Sequence, residues 1–294
     1  MSKGAPAMKT TSAKLPPLPP VLRRLLADAT DSASLELPHL PGSAAEIMNL
    51  CNSPDAQASD LAELVERDQS IASQVLKTAN SVMYAPTEPI VSLQQAISRM
   101  GFTALRDIAL SITLKGNVFE VPGYGVKVRN MWMHSAVTAM YAREVAKKLR
   151  RSGEQPFLIG LLHDAGKPLV MQKLVKLAEE KTDKPVPPVI MESAMAEFHA
   201  ALGARMVDAW KMPEWIADCV RYHHDYSLWE DTRDEVLIVH LADELSHWAL
   251  DGELREEDFQ SELTVIAELG MSATDVVDLL KLRGNVLEIT EAFA

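Results

Sequence analysis

Apolar residues recur along this chain at the three- and four-residue spacing of a single helical face, and no series of alternating β-branched runs that would build a sheet interrupts them. The pattern predicts an all-α fold. Ser43 with Glu46 reads as a capping box opening a helix through Ile47, Met48 and Leu50, and Asp60 with Glu63 repeats the device ahead of Leu61, Leu64 and Val65. Asn52-Ser53-Pro54-Asp55 is the turn between them. Helical spacing resumes over 69–79 through Ile71, Val75 and Leu76, and Asn80-Ser81 after it reads as a C-cap and turn. Pro86 and Pro89 interrupt the chain, and further helices are expected over 92–100, closed by Gly101, and over 103–114.

Val121-Pro-Gly-Tyr-Gly125 marks a loop and divides the chain into two helical subdomains, 33–120 and 121–250. Residues 1–32 are expected to form a flexible tail and lead-in helix, and 251–294 a helical extension in which Ser272 and Asp275 make another capping box. In the second subdomain a long helix over 129–149 carries Trp132, His134 and Val137, and the next is expected to run from 155 into 167. Helices near 191–210, 214–222 and 235–250 follow a loop around 184–188. Trp132, Trp210 and Trp215 fall at helical spacing and read as core or interface anchors.

Composition narrows the function classes. With 47% hydrophobic and 24% charged residues the chain has ordinary globular usage, enough to bury a core. A formal net charge of −12 argues against general nucleic-acid binding, which needs clustered Lys and Arg. Lys3, Lys9, Lys14, Arg23 and Arg24 precede the first acidic residue, Asp28, and read as a solubilising run. The opening segment lacks an apolar stretch of signal-peptide length and no window holds eighteen uninterrupted apolar residues, so the expectation is no membrane association and a cytoplasmic protein. Cys51 and Cys219 lie far apart with no CxxC pair, which removes a disulfide framework or a cysteine zinc site.

The candidate chemistry lies with the histidines. His163 and Asp164 close the apolar run Phe157-Leu-Ile-Gly-Leu-Leu162, where burial is otherwise expected, and a buried imidazole and carboxylate need partners. One or two divalent cations held by imidazole nitrogen and carboxylate oxygen meet that need, and the ligand mixture suits zinc, iron, manganese or nickel. His134, His199, His223 and His224 are the further candidates. His240, three residues before Asp243, reads as a support for that site, whereas His39 and His247 read as ordinary surface or packing residues.

The order of these residues is similar to a known pattern. Met131-Trp-Met-His134, His163-Asp164-Ala-Gly-Lys167, His223-His224 and Leu241-Ala-Asp243 resemble the metal-binding series of the HD superfamily of phosphohydrolases. Leu37-Pro-His-Leu-Pro41, Leu61-Ala-Glu-Leu-Val-Glu-Arg-Asp68, Val75-Leu-Lys-Thr-Ala-Asn80-Ser81, Ala96-Ile-Ser-Arg-Met-Gly101, Glu197-Phe-His199 and Trp210-Lys-Met-Pro213 extend the likeness to the HDOD (HD-related output) domain family over roughly residues 33 to 245. The resemblance implies a regulatory module of bacterial signalling that acts through contacts with other signalling proteins. It also implies that His134, His163, Asp164 and Asp243 hold a first metal, with Asp164 able to bridge, and that His199, His223 and His224 supply a second. The alternative it carries is a metal-dependent phosphohydrolase acting on a nucleotide or other phosphoester, with Asp164 and Lys167 in catalytic roles and Lys167 placed to meet a phosphate as a point charge. Cyclic-di-GMP-cleaving relatives have Gly-Tyr-Pro after the double histidine; this chain has His223-His-Asp-Tyr-Ser-Leu-Trp-Glu230, which speaks against that substrate.

Overall fold

The computed structural model describes residues 15–32, 36–40, 42–51, 53–81, 84, 86–181, 184–229, 233–251 and 263–293. Among them every regular element is a helix, as the spacing predicts. The tail before residue 15, Asn52 of the expected turn and the stretch 252–262 lie outside the described residues.

The first group of helices is α1 (Pro20–Asp31), α2 (Gly42–Cys51), α3 (Ala58–Val65), α4 (Gln69–Ala79), α5 (Leu93–Met100) and α6 (Phe102–Asn117). Side-chain caps set several boundaries. Asp68 accepts from the N–H groups of Ser70 and Ile71 to open α4, and Ser92 accepts from Gln95 to open α5. Asn80 is the C-cap of α4: its amide donates to the carbonyls of Leu76 and Ile90 at 2.8 Å while its oxygen accepts from Ile90 N–H at 2.8 Å, which ties the proline loop to the helix end. Gly101, at φ 84, ends α5 and turns the chain straight into α6.

Two of the expected caps differ. Ser43 lies inside the first turn of α2, and its hydroxyl donates to Asp68 at 3.2 Å. Asp60 lies inside the first turn of α3, which begins at Ala58 with Gln57 as an N-cap that supplies no side-chain bond. An acidic residue in a first turn also suits the helix dipole, so the same letters fit the start of α3 three residues earlier.

The second group is α7 (Gly125–Lys148), α8 (Glu154–Leu162), α9 (Gly166–Lys181), α10 (Pro188–Ala209), α11 (Glu214–Tyr222), a short 3-10 turn (Tyr226–Leu228) and α12 (Asp234–Asp251). The C-terminal helices are α13 (Leu263–Glu268), α14 (Ala273–Lys281) and α15 (Arg283–Phe293). The Ser272–Asp275 capping box is present at α14. The single helix expected from 155 into 167 is instead two, broken at His163-Asp164-Ala165. Periodicity could not mark that break, because Phe157, Ile159, Gly160, Leu161 and Leu162 are all buried and leave no polar face to lose phase.

Two hydrophobic cores result. One gathers Ile47, Leu61, Val65, Ile71, Val75, Ile97, Leu105 and Ile108 from α2 to α6; the other runs from Leu110 and Leu114 through α7 to α15. Helix α6 is their common wall, giving Leu105, Ile108 and Ala109 to the first and Leu110 and Leu114 to the second. A polar seam joins them: Asp107 on α6 pairs with Arg143 on α7, and Thr103 and Arg106 on α6 reach Glu154 on α8 at 2.7 and 3.4 Å.

The N-terminal strap is held to α10. Leu18 and Leu26 are buried, Ser193 donates to the Pro16 carbonyl at 2.8 Å, and Trp210 donates to the Pro38 carbonyl at 2.7 Å. Arg23 of the basic run pairs with Glu197, and Arg24 lies 3.8 Å from Asp28, so two of its cations are matched within the molecule. No helix among the described residues is long and apolar enough to cross a membrane.

Candidate metal centre

Close backbone contact draws the candidate ligands together. A Cβ on Gly160 would meet Ala139 Cα at 2.8 Å, so the missing side chain lets α8 lie against α7. A Cβ on Gly166 would stand 1.9 Å from the carbonyl oxygen of His199 and 2.8 Å from Gly203 N, so α9 can start only where α10 passes its backbone directly alongside. The break at 163–165 therefore sits between α7, which carries His134, and α10, which carries His199. His223 is the C-cap of α11, and α12 brings Asp243 from the other side.

Seven side chains from five segments share one cavity. His134 Nε2 lies 2.9 Å from Asp243 Oδ1 and 3.4 Å from Asp164 Oδ2; His163 Nε2 lies 3.4 Å from Asp164 Oδ2 and 3.6 Å from Asp243 Oδ1. On the opposite side of the same carboxylate, Asp164 Oδ1 is 3.4 Å from His199 Nε2 and 3.9 Å from His223 Nε2. His199 Nε2 is in turn 3.3 Å from His223 Nε2 and 3.1 Å from His224 Nε2. Asp164 thus faces His134 and His163 with one oxygen and His199 and His223 with the other. Lys167, one-quarter exposed, pairs with Asp164 Oδ2.

The other ring nitrogens are pinned. His163 Nδ1 bonds the Gly160 carbonyl, His199 Nδ1 that of Met195 and His223 Nδ1 that of Val220, each at 2.7 Å. A carbonyl only accepts, so each Nδ1 carries the proton. His134 is held by a hydroxyl relay: Thr138 donates to Ser246 at 2.9 Å, Ser246 donates to the Asp243 carbonyl at 2.8 Å, and its remaining lone pair accepts from His134 Nδ1 at 2.9 Å. Each neutral ring so fixed presents its Nε2 lone pair to the cavity.

Burial lowers His134, His199, His223 and His224, His199 to about 4. At His163 burial is outweighed by the carboxylates of Asp164 and Asp243, which raise it to about 10. Burial acts to raise both carboxyls, but Lys167 and His163 hold Asp164, and His134 and His163 hold Asp243, well below the usual carboxylate range. Two carboxylates and neutral imidazoles are the protonation states a divalent cation requires; His163 alone has a proton to give up.

The donor set fits such an ion. His134 Nε2, His163 Nε2, Asp164 Oδ1 and Asp243 Oδ1 are buried without a hydrogen bond of acceptable geometry, although they stand close together. Two ligands bound about 2.1 Å from one ion lie roughly 3.0–3.4 Å apart, and the His134–Asp164, His163–Asp164, His199–Asp164, His199–His223 and His199–His224 separations of 3.1 to 3.4 Å fall in that range. Two groups whose ligand atoms lie within 4.8 Å of one another share Asp164: His134, His163 and Asp164, and Asp164, His199, His223 and His224.

Two contributors escaped the sequence reading. His247 forms a third such group with His134 and Asp243, its Nε2 3.6 Å from Asp243 Oδ1 and its ring 4.5 Å from that of His134. It lies one helical turn after Asp243, a spacing that could have signalled it. Ser246, the anchor of His134, is three residues after Asp243 and resembles any buried serine in sequence. His240 bonds the His223 carbonyl through Nδ1 at 2.7 Å, while His39 is exposed and stands on the surface.

The family profile of the HDOD domain matches residues 37–226. An uncharacterized protein of Treponema pallidum (strain Nichols) is 26% identical over 200 residues, 65% of this chain; the match spans only 38% of that relative's length. Among solved structures, a "Putative metal-dependent phosphohydrolase" of Shewanella amazonensis SB2B shares the fold with a TM-score of 0.72 at 20% identity, covering 93% of this chain and 98% of its own. A "Putative signal transduction protein" of Marinobacter aquaeolei VT8 does so with a TM-score of 0.65 at 23% identity, covering 92% of this chain and 65% of its own. Matched through both helical cores and four of the five ligand-bearing segments, the chain belongs to the HDOD domain family.

Proposed function

We propose that this chain is a bacterial signal-transduction protein that binds one or two divalent cations in its C-terminal bundle and acts through contacts with other proteins. The observation that supports the cation is the two-sided position of Asp164, whose oxygens face separate histidine groups with their Nε2 atoms turned inward. His134, His163, Asp164 and Asp243 would hold the first ion and His199, His223 and His224 the second, with Asp164 between them. His247 would add a ligand at the open edge of the first. Iron, manganese, zinc and nickel all suit this nitrogen and oxygen set.

A second reading is favoured by Lys167 beside the bridging carboxylate: a metal-dependent phosphohydrolase acting on a nucleotide or other phosphoester. Bound ions would supply an activated water and charge stabilisation at the phosphoryl group. Lys167 would hold a phosphoryl oxygen as a compact point charge, and the packed bundle would exclude bulk water. The Asp-Tyr-Ser that follows His224 keeps cyclic-di-GMP out of favour as substrate.

Elemental analysis of the purified protein, followed by assay of a generic phosphodiester and a nucleotide panel with added manganese or iron, separates the two. Bound metal without turnover supports the regulatory reading. Turnover lost in Asp164→Ala but kept in a distant surface variant supports the hydrolase. Protein that takes up no metal from any of the four salts overturns the cation itself.

A further inference from the structure

A cleft of about 750 Å³ opens between the two cores, away from the metal cavity, bounded by α4, the end of α6 and the start of α7. Its volume lies in the range of small-molecule sites, and boundaries between packed units are where such sites concentrate. The lining is rich in donors. Lys115 on α6 and Arg129 on α7 both border it, facing the Gln69, Ser70 and Ser73 side of α4, and Glu120 is the one carboxylate among the described lining residues. In a chain of net charge −12 this concentration of positive charge is local. Burial lowers the Lys115 ammonium, and the neighbouring Lys77 and Arg129 cations lower it further.

Two backbone and side-chain features point the same way. The start of α7 at Gly125 borders the cleft, and its N-cap, Tyr124, supplies no side-chain hydrogen bond to the first turn. Trp132, one of the lining residues and only 2% exposed, has an indole N–H with no acceptor among the described residues. Space is available at the backbone: a Cβ added to Gly116 or Gly125 would meet nothing within 4 Å.

We infer that this cleft is a binding site for a phosphate-bearing small molecule, held by Lys115, Arg129 and the first turn of α7. Cations and an open helix start provide charge-assisted donors for phosphate oxygens, and the amides and hydroxyls of α4 provide neutral ones for the rest of the molecule. Its occupant would bear on α7, the helix that carries His134 two residues after Trp132.

Calorimetric titration of the full chain tests this, with adenosine and guanosine triphosphates, pyrophosphate and inorganic phosphate as probes. Prior treatment with a chelator keeps the metal cavity from capturing phosphate. The expected result is saturable binding of at least one probe, weakened about tenfold per lost cation in Lys115→Gln and Arg129→Gln. Both residues are exposed, so the variants should keep the wild-type melting temperature. Asp164→Asn should bind the probe as the wild type does. The absence of saturable binding at millimolar probe, equal affinity in the double variant, or loss of binding in Asp164→Asn would each overturn the site.

Discussion

At the residue scale, the proposed metal centre depends on side chains that would touch no ion. Ser246 fixes the His134 tautomer through a hydroxyl that also bonds the Asp243 backbone. Ser246→Ala should leave the fold intact and lower manganese affinity by about 10–100-fold, the usual cost of losing a partner to a metal-bound imidazole. Competition against a fluorescent chelator would measure it, and an unchanged affinity would remove the relay from the account. The cysteines make a contrasting case. Burial pushes the Cys219 thiol up to about 12 and the Cys51 thiol up to about 11, so neither has appreciable thiolate at pH 8. Iodoacetamide should therefore label native protein slowly at both and add two groups per chain once urea unfolds it, read by intact mass.

At the scale of elements, the crossing of α9 and α10 is the most demanding contact near the site. Ala at position 166 would drive its Cβ into the His199 carbonyl, and backbone cannot swing aside as a flexible side chain can. Gly166→Ala should cost about 3 kcal/mol or more, at or beyond the upper end of ordinary overpacking, and should displace His199 enough to abolish metal uptake. Gly116→Ala is the matched control. It sits in α6 with open space around it, and should be neutral or stabilising by about 0.5 kcal/mol. Urea melts of the two variants would show whether close approach, rather than glycine content, is what matters.

For the whole molecule, metal binding and folding should be linked, since the ligands come from α7, α10, α12, the turn after α8 and the end of α11, and exist as a set only when folded. A cation at a hundred times its dissociation constant stabilises by about 2.7 kcal/mol, worth roughly 4 °C in melting temperature for a chain of this size. Differential scanning fluorimetry with manganese, iron(II), zinc or nickel should show that rise, a chelator should reverse it, and Asp164→Asn should abolish it. Flat melting curves with all four ions would sink the proposed centre.

How much of this was legible beforehand varies with the range of the interaction. The helical class, the starts of α4, α5 and α14, and the end of α5 at Gly101 follow from spacing and caps within a few neighbouring residues. The ligand candidates were legible because a histidine and an aspartate at the end of an apolar run are out of place without partners, and because their order resembles a known series. The break at His163-Asp164-Ala165 was not, since an all-apolar helix loses no amphipathic phase when it ends. Nor was Ser246, whose role arises from what lies across the cavity on α7, while His247 was marked only by its one-turn spacing from Asp243.

The sequence alone determines that this chain is helical, where several of its helices begin, and which side chains could carry metal chemistry, because those are matters of local geometry and residue chemistry. Only the tertiary structure decides that Asp164 has histidines on both sides, that Lys167 is already paired with it, and that a cation-lined cleft separates the two cores. These depend on how helices distant in sequence pack, including the close backbone contacts of Gly160 with Ala139 and of Gly166 with His199, and no local pattern encodes the distance between two helices.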